Sequence, residues 1–414
     1  MPAPSAADRS SWHAPQRYAA GACRVAGVWF PLLFTALTGR SGHGLASLGL
    51  WPVHDTPPGL APKRVGGGRY DPAMLVITDE RFLDHDTGYR HPERPDRLRA
   101  ALAGVADVDT ELLAEGHSPR RAERDELELV HSAAMIDRVS AIAEAGGGHL
   151  DADTAMGPAS FDAARLAAGA VLSAVEQLAA GAGSGGPARG DSEAYCLVRP
   201  PGHHATPSTS MGFCLFNSVA VAAALLAADG QRVAIVDVDA HHGNGTQDVF
   251  WDRDDVLYAS IHQYPLYPGT GALGERGAGA GEGFTVNVPL PPGATGNTAR
   301  AALDEVIVPA VERFAPDWML ISAGYDGHRA DPLTGLGYSA SDYGDFVRRL
   351  MALAPRTVAV LEGGYDLDAT RASSYAVAGA LLGLDLHPEP ASGAGPGMEV
   401  VEAAARLSAL DGNR

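Results

Sequence analysis

Lysine is almost missing from this chain: one, Lys63, stands against thirty arginines, a bias that reflects coding composition rather than function. Cysteine is nearly as scarce. Cys23, Cys196 and Cys214 show neither a metal-ligand spacing nor an even set for a disulfide framework. Cys196 and Cys214 therefore read as small buried hydrophobes in a protein of the reducing cytoplasm. Long apolar runs are also lacking. The stretch Gly27–Leu37 carries Val28, Trp29, Phe30, Leu32, Leu33 and Phe34, but Pro31 interrupts it and it is too short to span a bilayer. The long region before it argues against a secretory signal. Positive charge is in deficit too, with a formal net charge of −19, which disfavours nucleic-acid partners and is compatible with cationic ones. No internal repeat is visible.

What is present is ample apolar material, 46% of 414 residues, enough to bury a full core. Strand-like runs are expected at Met74–Thr78, Ala194–Val198, Val233–Asp237, Val256–Ile261, Phe284–Val288, Trp318–Ser322 and Thr357–Leu361. Helical patterns lie between them at Arg94–Ala103, Ala133–Ala145, Phe161–Ala180, Asn217–Ala228, Thr298–Phe314, Ser341–Ala354 and Ala369–Leu382, with a last one at Met398–Leu410. This alternation predicts an α/β fold with a parallel sheet covered on both faces. Residues 1–73 differ in kind: seven basic and three acidic residues give +4, and Pro52–Gly68 reads as a linker. They are expected to be a disordered leader or a gene-model extension, with one large domain over 74–386 and a linker plus C-terminal helix over 387–414. Gly181–Asp191 reads as a surface loop.

Two clusters carry chemistry. Arg199-Pro200-Pro201-Gly202-His203-His204 supplies one imidazole pair, and Asp237-Val238-Asp239-Ala240-His241-His242-Gly243-Asn244 supplies a second at the end of the apolar run Val233–Val236. Ligands of open α/β sheets bind at the carboxyl ends of strands. On extended backbone, residues at i, i+2 and i+4 share a face, so Asp237, Asp239 and His241 can converge. Imidazole nitrogen and carboxylate oxygen suit Zn²⁺, and a catalytic site wants a third protein ligand with a position left open. Asp326, closing Leu320–Tyr325, is the natural third.

At these residues the chain resembles the histone deacetylase family, and more closely its class II branch and the bacterial deacetylase and acetylpolyamine amidohydrolase relatives. The likeness runs from about Met74 to about Leu384 and takes in His91–Leu98, Met211–Asn217 and Leu361–Tyr365; Asn244 and Glu362 favour the class II side. It implies the arginase/deacetylase architecture, with a central parallel sheet of about eight strands. It implies one zinc ion on Asp239, His241 and Asp326, with His204 as general base and then acid, His203 as its electrostatic partner, and Tyr365 as oxyanion donor. Asp237 and Asn244 would orient the two histidines. The acyl-lysine tunnel would be formed by Gly212, Phe213, Tyr267, Leu333 and Gly364, with Asp153 at the rim. A structural potassium ion would sit at Asp237 and Ser260 and the carbonyls of Asp239 and His241.

The chemistry is coherent with those roles. Zn²⁺ polarises an amide carbonyl and lowers the pKa of water toward ~7, a neutral imidazole can shuttle the proton, and a tyrosine on a Gly-Gly hinge can meet the oxyanion. Three departures from the family pattern stand out: Val238 replaces a tryptophan, Ala240 a larger aliphatic, and Tyr267 a phenylalanine. Leu333 stands where the polyamine-selective member has a glutamate, which favours an acetylated lysine peptide or protein. Asp151 and Asp153 read equally well as solvated loop acids. The expected activity is a zinc-dependent deacetylase acting on acetyl-lysine or a lysine-like acylated amine, without nucleic acid or membrane. The alternatives are an acetylpolyamine or other small-molecule amidohydrolase, an arginase-like enzyme with two Mn²⁺ ions, disfavoured by Gly243, and an idle binding module, disfavoured because every catalytic position is filled.

Overall fold

The computed structural model describes residues 74–108, 113–114, 118–181 and 192–411. The expectations for residues 1–73 and for the loop at 182–191 lie outside them. Among the described residues ten strands are seen: β1 Met74–Ile77, β2 Leu113–Ala114, β3 Gly148–His149, β4 Ala155–Met156, β5 Glu193–Cys196, β6 Val233–Asp237, β7 Val256–Gln263, β8 Thr285–Leu290, β9 Trp318–Ala323 and β10 Arg356–Leu361. Eight form one sheet in the order β2-β1-β5-β10-β9-β6-β7-β8, and every pairing in it is parallel. The seven expected strands are all there. The eighth, β2, is two residues long at the sheet edge, too short to leave a periodic signal.

The central strands β6, β7 and β9 are buried at every position because helices cover both faces; they are apolar for most of their length, and their polar residues, Asp237, Ser260, His262, Gln263 and Ser322, fall toward the carboxyl ends. The helix Ser218–Ala228, almost entirely Ala, Val and Leu, is buried nearly all round, and Asn217 caps it by accepting from Ala220 N. The helix Ala340–Met351 instead has one wet face and starts in a Ser339/Asp342 capping box. The pattern over Thr298–Phe314 resolves into Gly296–Ala302, a π turn Leu303–Ile307 and Val308–Phe314. Pro309 accounts for it: its ring would press on the carbonyl four residues back, and a wider turn relieves that contact.

Two further elements shape the site and carry no strong periodic signal. β3 and β4 pair antiparallel around the turn that holds Asp151 and Asp153, and a short helix, Asn244–Phe250, starts directly after the second cluster. The segment His387–Gly397, read as a linker, is irregular yet fastened: Glu389 Oε2 lies 3.0 Å from His328 Nε2, and Ser392 N donates to Asp342 Oδ1 at 3.2 Å. Among the described residues no helix is long and apolar enough to cross a membrane.

Candidate active site

Strand order builds the site. β5, β10, β9 and β6 are consecutive in the sheet, so the loops leaving their carboxyl ends meet. They carry His203 and His204, Glu362–Tyr365, Asp326, and Asp239 with His241, respectively. Strand alternation does not continue past Asp237, where β6 ends. Asp237 turns to His203 instead of joining Asp239 and His241.

Asp239, His241 and Asp326 each offer a ligand atom within 4.8 Å of the others. His241 Nδ1 lies 3.2 Å from Asp239 Oδ1 and 2.9 Å from Asp326 Oδ2. Atoms bound at metal–ligand lengths on a tetrahedral ion stand about 3.3 to 3.6 Å apart, so the set fits a divalent cation with little adjustment. Electrostatics argue the same way. Both carboxylates are wholly buried, and two such charges against one imidazole call for a cation. Each is aimed by main-chain donors: Ala240 N to Asp326 Oδ1 at 2.8 Å, Gly363 N to Asp239 Oδ2 at 2.9 Å. A Cβ on Gly363 would stand 2.4 Å from Asp326 Oδ2, so glycine is required there for close approach. Burial opposes charge on His241, but Asp326 and Asp239 outweigh it and lift its pKa to about 10; a metal ion would take the place of that proton.

The tandem histidines are buried and differently partnered. His203 Nδ1 is 3.0 Å from Asp237 Oδ2, and His204 Nδ1 is 2.8 Å from Asn244 Oδ1. Burial disfavours the His203 cation, yet Asp239 and Asp237 raise its pKa well above the ordinary imidazole value. For His204 burial, then His203 and His241, drive the pKa well below that value. Opposite shifts on adjacent imidazoles separate a charged partner from a neutral proton acceptor.

Tyr365 lies beneath the Arg97 guanidinium, 4.8 Å from its ring centroid, and 5.8 Å edge-on from Phe213. Burial raises its pKa, Arg97 opposes, and Asp326 and Asp239 raise it further; the phenol stays protonated and able to donate. The Gly363-Gly364 pair is pinned, not a loose hinge: Arg97 Nε donates to Gly364 O at 2.6 Å and its Nη2 to Glu362 O, while Gly363 O accepts from Tyr325 N at 3.0 Å. Gly364 adopts φ +117°, which explains the second glycine.

Of the expected wall residues, Tyr267 lies edge-on to His204 at 5.2 Å and Phe213 edge-on to His91 at 4.7 Å. Gly212 is needed because a Cβ would sit 2.4 Å from His204 Cδ2. Leu333 is exposed. The two loop acids separate: Asp151 Oδ1 closes the turn by accepting from Asp153 N and Thr154 N at 3.1 and 2.7 Å, while Asp153 faces solvent and its carbonyl lies 3.0 Å from His91 Nε2. Partial desolvation among its loop neighbours and then the Asp151 charge raise the Asp153 pKa. Asp237 and Ser260 are register partners on β6 and β7. A side chain at Gly243 would strike Asp237 Oδ2 at 2.2 Å, which leaves no room for another acidic ligand.

Sequence reasoning gave no role to a buried clamp. Glu93 bonds Arg199 through both oxygens, at 2.5 and 2.6 Å, and Arg97 Nη1 at 3.1 Å. It therefore ties the tandem-histidine loop to the tyrosine loop, and despite burial Arg199 and His85 hold its pKa well below the ordinary range. The i, i+4 spacing of Glu93 and Arg97 was the available signal. Two other buried carboxylates were missed as main-chain acceptors: Glu362, which receives Gly202 N at 2.6 Å, and Asp331, which receives Tyr365 N at 2.6 Å.

Residues 91–381 match the family model described as "Histone deacetylase domain". The chain is 38% identical over 323 residues to a "Probable deacetylase" of Archaeoglobus fulgidus, covering 75% of this chain and 87% of that one. It is 35% identical over 305 residues to the "Histone deacetylase-like amidohydrolase" of Pseudomonas aeruginosa, covering 71% and 78%. The solved structure titled "Crystal Structure of HDA15 HD domain" superposes with a TM-score of 0.73 at 36% identity, over 82% of this chain and 94% of that one.

Proposed function

The chain belongs to the histone deacetylase family of amide-hydrolysing deacetylases, and from that membership we propose that it is a zinc-dependent enzyme removing an acetyl group from a lysine side chain or lysine-like amine. The convergence of Asp239, His241 and Asp326 beside the tandem histidines carries this reading. One histidine and two carboxylates match the nitrogen and oxygen preference of Zn²⁺ and leave a coordination position for substrate or water. When bound, the ion supplies Lewis acidity toward the amide carbonyl and lowers the pKa of water.

The remaining work falls to the chain's own side chains. His204 hands Nδ1–H to Asn244, which leaves Nε2 with its lone pair to take a proton from water and return it to the departing amine. His203, charged and tethered to Asp237, stabilises negative charge beside it. Tyr365 donates its O–H to the tetrahedral oxyanion. Phe213 and Tyr267 wall the passage for a lysyl stem whose charge acylation has removed. Asp153 is the proposed rim acceptor for the substrate backbone, and Leu333 an aliphatic gate that gives a polyamine's further ammonium groups no partner. Asp237, Ser260 and the Asp239 and His241 carbonyls would hold a structural K⁺. The free buried thiols Cys196 and Cys214 fit a cytoplasmic setting.

The test pairs metal analysis with a deacylation assay of acetyl-lysine peptides against acetylspermidine. One zinc per chain with faster peptide turnover is expected. Preference for the polyamine would replace this reading with a small-molecule amidohydrolase.

A further inference from the structure

Asp331 stands outside the ligand set and the tandem-histidine system, yet it touches both the gate and the tyrosine loop. Its Oδ1 accepts from Leu333 N at 2.9 Å, and its Oδ2 accepts from Tyr365 N at 2.6 Å and Asp366 N at 3.3 Å. The carboxylate is buried, 7% exposed, in a chain where a buried acid needs a partner. Among the described residues no arginine or histidine is bonded to it; its partners are these main-chain N–H groups. Asp366 in turn caps the helix Leu367–Leu381 through Ala369 N at 2.9 Å.

We propose that Asp331 is a positioning residue for Tyr365, which holds the tyrosine main chain in its reactive place and couples it rigidly to the Leu333 gate. The reasoning is geometric. Gly364 and Gly363 have no side chains of their own to anchor the loop. Arg97 fixes the carbonyl side of that loop, at Gly364 O. Asp331 fixes the amide side of the same Gly364–Tyr365 peptide, at Tyr365 N. With both faces of one short turn held, the phenol is delivered at a set distance; with one released, the ring retains its contact under Arg97 but the loop can swing about Gly364. A displacement of about 1 Å at an oxyanion donor is enough to forfeit much of its effect. Because one carboxylate grips both residues, a shift at the gate is transmitted to the tyrosine.

This inference rests on the reading of Tyr365 as oxyanion donor, and the experiment separates the two. Asp331→Asn preserves size and one acceptor oxygen but turns an NH2 toward main-chain N–H groups, on one side or the other. Four full-length enzymes are compared on an acetyl-lysine peptide: unmodified, D331N, Y365F and the double variant. D331N is expected to lower kcat about tenfold or more with KM within about threefold and zinc content unchanged. In the Y365F background the same substitution should cost less than about twofold, since it acts through the missing hydroxyl. Equal costs in both backgrounds would overturn the inference while leaving the role of Tyr365 intact. Full activity of Y365F alone would overturn that role instead. If D331N does not accumulate folded, D331S, whose hydroxyl still accepts one N–H, enters the same cycle with the same criteria.

Discussion

His204 places Nδ1 2.8 Å from Asn244 Oδ1, and an amide oxygen there can only accept, so the imidazole carries its proton on Nδ1 and keeps Nε2 basic. His204→Ala should therefore lose about 10²- to 10⁴-fold in turnover while retaining zinc, and His203→Ala should lose less. The reverse order in steady-state assays would exchange the two roles. Asn244→Asp adds a sharper check. A carboxylate at that distance favours imidazolium, so the His204 pKa rises and the acidic limb of the rate profile moves to higher pH.

Metal retention is expected to fail when either buried carboxylate is removed. Asp326→Ala leaves His241 and Asp239 with two donor atoms where three converge. Zinc content and turnover should fall together after dialysis. A variant that kept a full equivalent of zinc would contradict the ligand assignment.

Leu333 sets the third expectation. It is 37% exposed beside the gate loop, without a charge of its own. Leu333→Glu should raise the ratio of acetylspermidine to acetyl-lysine turnover by supplying a partner for the distal ammonium, and the gain should shrink as salt rises. An unchanged ratio would remove Leu333 from the list of specificity residues.

His131 gives the fold a pH limit. Its Nδ1 donates to Thr206 O and its Nε2 accepts from Asn217 N, both at 2.9 Å, so the ring is held neutral in one tautomer. Burial, against the Thr206 carbonyl, lowers its pKa to about 4. The unfolded chain, titrating near 6.5, takes up that proton first as pH falls. Stability present above ~6.5 should thus decline toward pH 4, with about 3 kcal/mol at stake from this ring. Urea unfolding of His131→Gln should show a shallower decline over the same window. Parallel curves would mean that other groups carry the acid sensitivity.

Much of this protein is set by local sequence. β6 and β9 are legible because continuous apolar runs closed by Asp and Gly specify buried parallel strands, and Asp239 and His241 are legible because two candidate metal-binding side chains lie two residues apart in the chain. The pairing of His203 and His204 was legible for the same reason. The helix starts at Ser218 and Ala133 are local as well, since the side chains of Asn217 and Ser132 accept from the first turn.

Tertiary structure decided the rest. Asp326 joins His241 across 85 residues only because β9 lies next to β6 in the sheet, and strand order leaves no trace in a local pattern. Arg97 reaches Gly364 across 267 residues, which turned an expected Gly-Gly hinge into a clamped turn. The divergent states of His203 and His204 depend on Asp237 and Asn244 meeting different rings in a water-poor interior, where charge is expensive unless paired. Composition can announce ionisable groups; only the fold determines which of them share a proton, a metal ion or a main-chain donor, since those energies depend on distance and burial, not on position along the chain.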